Sequence, residues 1–275
     1  MTIKKDSLDL NQVKHQGGLL LLMTYAQLSV NAREIVAKFT LATSQEVQLG
    51  CDWYRSALNI AGRIADRYDM RIETVAGVIA ALSPNNRWER NIIDAEAIIK
   101  CWAAGGTDED ILAVKVCTYT KMQQKALDIL TRDIPIVEIL NGPKIIEFFN
   151  CITNPMLNDV CIDGHAYSVW FGQRLTMKQV PNIGKKLRQQ IKTDYVDATS
   201  FINEELNESF TPADIQAITW VTHKRIYGVK MQTLTHLEFA YAVSRIIGRT
   251  DKRAMLDKIK QYKKVYDSME VLKNV

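Results

Sequence analysis

No two of the five cysteines stand as a C-x-x-C pair. Cys51, Cys101, Cys117, Cys151 and Cys161 are scattered and odd in number, which argues against a disulfide framework, a structural zinc site and a four-cysteine iron–sulfur cluster. Neither a metal nor a cofactor is expected, and a reducing, cytoplasmic setting fits best. Long hydrophobic runs are also missing. The most apolar stretch, GGLLLLMTYA (Gly17–Ala26), has an unbroken apolar core of only Leu19–Met23, and Asp6 and Asp9 precede it. That is too short for a membrane span and makes a poor signal peptide, so it reads as the start of a buried helix. Charge of one sign is scarce too. Lys and Arg number 35 against 31 Asp and Glu, a net +4, which permits a clustered phosphate-binding surface without requiring one.

What is present is helical periodicity. The 275 residues, 47% of them hydrophobic, suffice for one large domain or two small ones around a real core. DWYRSALNIAGRIADRYDM sets Trp53, Leu58, Ile60, Ala61 and Ile64 near one face, ETVAGVIAALS reads as a central apolar helix, and RNIIDAEAIIKCWAA repeats apolar residues at helical spacing. Thr211, Pro212 and Asp214 form a helix start, with Gly228 as its stop. The last 25 residues, with six lysines after Asp251, read as an amphipathic helix with a solvated face. No run alternates as strands do. The expectation is an all-α protein of ten or more short helices in two lobes: N-terminal helices over 1–70 packing with the C-terminal lobe, a helical lobe over 71–160, and a C-terminal helical lobe over 161–275.

Four stretches carry candidate chemistry. In AALSPNNRWERN, Pro84 ends the apolar helix. Asn85 or Asn86 then serves as the next N-cap, or both amides face a cleft with Trp88 and read or replace a base. In IVEILNGPKIIEFF, Asn141-Gly142 suits a left-handed turn and Pro143 starts a new helix, a tight helical hairpin whose amides suit a phosphate. Lys144 lies in that first turn, where the helix macrodipole, and burial if it is buried, disfavour the ammonium; it is either a nucleophile or a surface lysine. In VCIDGHAYSVW, Asp163 is the N-cap of a helix beginning near His165, or an active-site carboxylate held at that helix start, and Gly164 permits a close approach. In VPNIGKKLRQQI, a second turn with Gly184 precedes Lys185 and Lys186, suited to a backbone phosphate or a solvated basic face.

In this order, the stretches resemble the helix-hairpin-helix DNA glycosylase superfamily. ALSPNNRWERN is similar to the family's segment that fills the gap left by a flipped base. TYTKMQQKALDIL resembles its Y-x-x-K-A-x-x-I helix, with Tyr119 shifted by three. Gly142-Pro143-Lys144 matches the G-x-K step that carries the catalytic lysine, and Asp163-Gly164-His165, 19 residues on, matches its Asp-x-His. Leu140 stands where the family hairpin has its first glycine. The resemblance covers about residues 70–175, and phage proteins carry segments similar to LSPNNRWERN and IDGHAYS, so a divergent, phage-encoded member acting in the host cytoplasm is expected.

The resemblance implies a monomer that binds duplex DNA, with no membrane association, and flips a base into a cleft. Asp163 stabilises the developing sugar cation, Lys144 attacks C1′ to give AP-lyase activity, and Asn85, Asn86, Trp88 and His165 fill or read the gap. Gly142, Gly184, Lys185 and Lys186 hold phosphates. Two other readings stand beside excision. One is transfer of an amine or amino acid onto an activated flipped pyrimidine, with Trp220, His223, Lys224 and Arg225 as accessory residues and the last two meeting a pyrophosphate. The other is a DNA-binding module without catalysis; a free nucleotide substrate also fits so low a charge.

Overall fold

The structure is a computed structural model that describes residues 25–227, apart from Pro155, Leu157 and Asn158. The expected stop at Gly228 and the C-terminal amphipathic helix lie outside the described residues, as does most of Gly17–Ala26. No strand occurs among the described residues, so the fold is all-α. Its helices are α1 (Val30–Thr40), α2 (Ser44–Tyr68), α3 (Ile72–Leu82), α4 (Trp88–Ala103), α5 (Asp108–Ala113), α6 (Thr120–Thr131), α7 (Ile136–Leu140), α8 (Pro143–Thr153), α9 (Gly164–Trp170), α10 (Lys185–Leu206) and α11 (Pro212–Ile226). No described helix is long and apolar enough to cross a membrane.

The chain forms two compact units. Their boundaries differ from the expected 1–70, 71–160 and 161–275: among the described residues, one unit holds 25–58 and 141–227, the other 59–140. The long helix α2 runs through Leu58 into the second unit instead of ending the N-terminal part at 70. The other break comes at Asn141, not 160, because α8 is bonded to segments beyond residue 160: Glu147 takes the amide of Ile162 at 3.0 Å and the guanidinium of Arg188 at 2.5 Å.

The first unit is built on α1, α9, α10 and α11. Ile35, Phe39, Val160, Ile162, Trp170, Ile191, Tyr195 and Ile218 form much of one buried cluster. A buried carboxylate sits in it: Asp194 accepts the Trp170 indole N–H at 2.6 Å and the Ser29 hydroxyl at 2.6 Å, while Ser29 also caps α1. Helix α11 starts as the sequence requires, with Thr211 and Asp214 closing a reciprocal capping box and Pro212 in the first turn. Helices α2 and α11 touch at Gly50, where an added Cβ would lie 2.6 Å from the Ile218 Cα.

The second unit surrounds α3, whose residues Val75 to Leu82 are all buried. Helix α6 lies on it, and Gly77 lets α7 approach: an added Cβ would stand 2.9 Å from Ile136 Cγ2. Gln123 of α6 donates to the carbonyls of Ile111, Leu112 and Val114, satisfying the end of α5.

Candidate active site

Val160, Cys161 and Ile162 are buried, and they deliver Asp163 to the start of α9. Asp163 is the N-cap: its Oδ1 accepts the amides of His165 at 2.9 Å and Ala166 at 2.8 Å. The cap reading is therefore the one observed, and it engages Oδ1 alone. A Cβ at Gly164 would sit 3.0 Å from the Sδ of Met177, an exposed and flexible side chain, so the fit is close without requiring glycine.

The segment before Asp163 is clamped by a buried ionic network. Glu147 of α8 binds Arg188 at 2.5 Å and Lys192 at 3.0 Å; Lys192 also reaches Asp159 at 2.5 Å, and Arg188 donates to the Ile162 carbonyl at 3.1 Å. Burial pushes the Glu147 carboxyl up, while the Ile162 amide, Arg188 and Lys192 pull it back. No sequence signal announces this set. Glu147 is an ordinary acidic residue in an apolar run, and only the fold shows that it faces inward.

Lys144 lies in the first turn of α8, as expected, but it is exposed rather than buried. The turn before it is two residues long. Asn141 takes the left-handed conformation with φ 40°, whereas Gly142 is extended with φ −112° and is the N-cap of α8 without a side-chain cap. The second candidate turn is different in kind. Gly184 is extended with φ −70° and opens α10, but fourteen residues of turns and loop, 171–184, separate α10 from α9. Of the two, only Asn141-Gly142 is thus a two-residue connection between helices. Pro143, which follows the first turn, and Gly184 of the second nonetheless line one cleft of about 400 Å³, with Ile183, Lys185, Arg188, Gln189 and Lys192. Lys185 and Lys186 are exposed.

Around Asp163 the unit gathers ionisable groups. His165 stacks edge-on to His223, centroids 6.2 Å apart, and His223 meets Tyr227 at 4.7 Å. Burial lowers the His165 imidazole; Asp163 opposes this, and the charges of Lys224 and Lys144 add to it. His223 is lowered to about 4 by burial first, then by Lys38 and His165. It is 2% exposed, and its Nδ1 has no hydrogen-bond partner. Lys38, which sequence reasoning missed, is buried on α1 with its ammonium 4.9 Å from the Tyr227 ring. Cys161 and Cys151 are both buried with thiols pushed up, a poor setting for a nucleophile.

The other accessory residues divide. Lys224 lies 3.6 Å over the ring of Trp220, which packs edge-on to Trp53 at 4.9 Å. Arg225 is committed elsewhere, to Glu46 at 2.6 Å and the Leu41 carbonyl at 2.7 Å.

Asn85, Asn86 and Trp88 belong to the second unit. Asn85 is exposed with φ 56°, and neither asparagine is the N-cap: that position is Arg87, with Trp88 the first helical residue. Asn86 is tied down by Asp94, which is fully buried and accepts from Asn86 at 3.0 Å, Arg90 at 2.6 Å and the Cys117 amide at 2.7 Å. Thr118 closes the loop by donating to the Pro84 carbonyl at 2.7 Å. No cluster of three or more His, Cys, Asp or Glu suited to a metal occurs among the described residues.

A family model described as a family of unknown function (DUF7178) matches residues 22–226. The chain belongs to DUF7178. The match spans Asn85, Lys144, Asp163 and His223 alike, so the DUF7178 unit comprises both the pinned asparagine loop and the Asp163 cluster. No curated protein and no solved structure matches this DUF7178 chain.

Proposed function

We propose that this protein is a DNA glycosylase-like enzyme acting on a flipped base, with Asp163 at the sugar and Lys144 as the amine nucleophile. The observation that carries the reading is convergence. Lys144 and Asp163 lie in one compact unit, and the charges of both reach the same imidazole, His165. Asp163 is held rigidly by two amides and the Glu147 clamp, as a group that must meet a developing cation needs to be. The exposed Lys144, next in sequence to Pro143 of the cleft that bears Lys185, Arg188 and Lys192, is accessible to a backbone-bound substrate. Gly142, Gly184, Lys185 and Lys186 are assigned to the phosphates of the duplex.

In the lyase step the Lys144 amine attacks C1′ of the sugar, the base or hydroxyl departs, and the imine formed permits β-elimination of the 3′ phosphate. Borohydride reduction in the presence of abasic duplex traps that imine as a covalent protein–DNA adduct. Wild type is expected to trap and Lys144→Gln not to; equal trapping by both defeats the lyase assignment.

A second reading, transfer onto a flipped pyrimidine, is favoured by the further cations Lys38, Arg174 and Lys224 whose charges act on His223 or His165. Mass spectrometry of nucleosides after incubation separates the two: a released base marks excision, a heavier nucleoside marks transfer.

A further inference from the structure

We propose that His223, His165 and Lys38 form a phosphate-binding site beside Asp163, and that an arriving phosphate protonates His223. The proposal stands whether or not Lys144 is a nucleophile, because it uses different residues and a different measurement.

The geometry begins with an unmet requirement. His223 is 2% exposed, and its Nδ1 lies buried with no partner. A buried polar atom left unpaired costs about 1–3 kcal/mol, so such an atom in a cluster of functional groups points to a ligand that completes it. The segments near the ring supply ionisable groups. Helix α1 brings Lys38, with Glu34 one turn before it; α9 brings His165 and Asp163; the loop after it brings Arg174; α11 brings Lys224, and its C-cap is Tyr227. Helix α10 brings Tyr195, whose hydroxyl contacts the Ala166 carbonyl at 3.4 Å, and α2 brings Glu46, already paired with Arg225.

Of these, Lys38, Arg174 and His165 disfavour a charged His223, and Asp163 favours it. Lys38, Arg174 and Lys224, from α1, the loop and α11, stand against two carboxylates, Asp163 and Glu34. A tetrahedral oxyanion with several acceptor oxygens suits cations arriving from three separate elements better than a planar carboxylate does. Its negative charge reverses the sign of the field at His223. The imidazole then gains a proton, and Nδ1–H donates to a phosphate oxygen. Phosphate binding therefore takes up a proton and tightens as pH falls through the raised value.

The phosphate comes either from a DNA backbone or from a free nucleotide, and one experiment distinguishes them. The full chain contains four histidines. With isotope-labelled imidazoles, His165 and His223 are assigned from His165→Gln and His223→Gln, and each is followed through a pH titration with inorganic phosphate, a deoxynucleoside monophosphate or a short DNA duplex. The expected result is a rise of at least about one unit in the His223 midpoint with inorganic phosphate. A rise with the duplex assigns the backbone, and a rise with the monophosphate but not the duplex assigns the free nucleotide. His223→Gln and Lys38→Gln are each expected to weaken inorganic phosphate binding about tenfold. If no probe moves His223 in the wild-type chain, or if both variants bind phosphate as tightly as wild type, the proposal is overturned. The wild-type titration decides even where a variant fails to fold.

Discussion

Glu147 and Arg188 meet at 2.5 Å across 41 positions of chain, and the same carboxylate oxygen takes the Ile162 amide at 3.0 Å. This pair fixes the segment that carries Asp163. Side-chain exposure is 4% for Glu147 and 13% for Arg188, so removing one partner leaves the other charge buried. Glu147→Ala is expected to cost about 3–5 kcal/mol, read as a lower denaturant midpoint. An exposed charge of the same helix, Lys144→Gln, is expected to leave the midpoint within about 0.5 kcal/mol. A Glu147→Ala midpoint close to wild type shows that the pair does not clamp the segment.

The cap that Asp163 forms and the catalytic role proposed for it can be separated by substitution. Asparagine caps helices as well as aspartate does, so Asp163→Asn should hold stability within about 1 kcal/mol while activity on the flipped base falls by orders of magnitude. Asp163→Ala loses the cap as well and should cost about 0.5–2 kcal/mol in unfolding. Equal activity of Asp163→Asn and wild type in a single-turnover assay leaves Asp163 as a cap and nothing more.

Asp94 explains why the asparagine loop keeps its shape. Its carboxylate gathers Asn86, Arg90 and the Cys117 amide with no exposure to solvent. Asp94→Ala removes the shared acceptor of Asn86, Arg90 and the Cys117 amide, and a loss of about 1–3 kcal/mol in unfolding free energy is expected. Asn85 is different: exposed at φ 56°, it tolerates Gly, while Asn85→Ala should cost about 1 kcal/mol. Activity surviving Asn85→Ala intact removes this residue from the DNA contacts.

How far the sequence showed these features depended on whether the signal was local. Thr211, Pro212 and Asp214 announced α11, and Asp163 announced α9, because a cap is decided by residues within one helical turn. The apolar α3 was visible for the same reason. The inward-facing polar residues were not. Glu147, Asp94, Asp194 and Lys38 sit in patterns that read as solvated faces, and only long-range packing turned them inward. The expected break near residue 160 missed for the same cause: the Glu147–Arg188 pair joins α8 to α10 without a trace in either segment. The N-cap expected at Asn85 or Asn86 moved to Arg87 because Asn85 took a left-handed turn and Asp94 claimed Asn86.

Gly50 tests how closely α2 and α11 are joined. A Cβ there would fall 2.6 Å from the Ile218 Cα and amide nitrogen, and backbone cannot step aside as a side chain can. Gly50→Ala is expected to destabilise by about 1–3 kcal/mol despite alanine's better helix propensity. Gly62→Ala in the same helix, where a Cβ would meet only Ile72 Cδ1 at 3.9 Å, is the matched control and should be neutral or slightly stabilising. Thermal unfolding of the pair checks the contrast.

His223 is expected to contribute to the acid sensitivity of the fold. Its imidazole is lowered in the folded chain to about 4 by burial and by Lys38 and His165, against an ordinary value of 6.5. Below 6.5 the unfolded chain binds a proton that the folded chain refuses, so stability from this group is complete above about pH 6.5 and drains as pH falls towards 4. The full loss is roughly 3 kcal/mol. His165, also lowered, acts in the same direction. His223→Gln carries no titrating group, and its unfolding free energy should change less over that window than that of wild type, whatever its absolute stability. Saturating phosphate should flatten the wild-type curve too, because the anion restores the proton to His223 in the folded state. Identical slopes for wild type and His223→Gln between pH 6.5 and 4 place the acid sensitivity elsewhere in the chain.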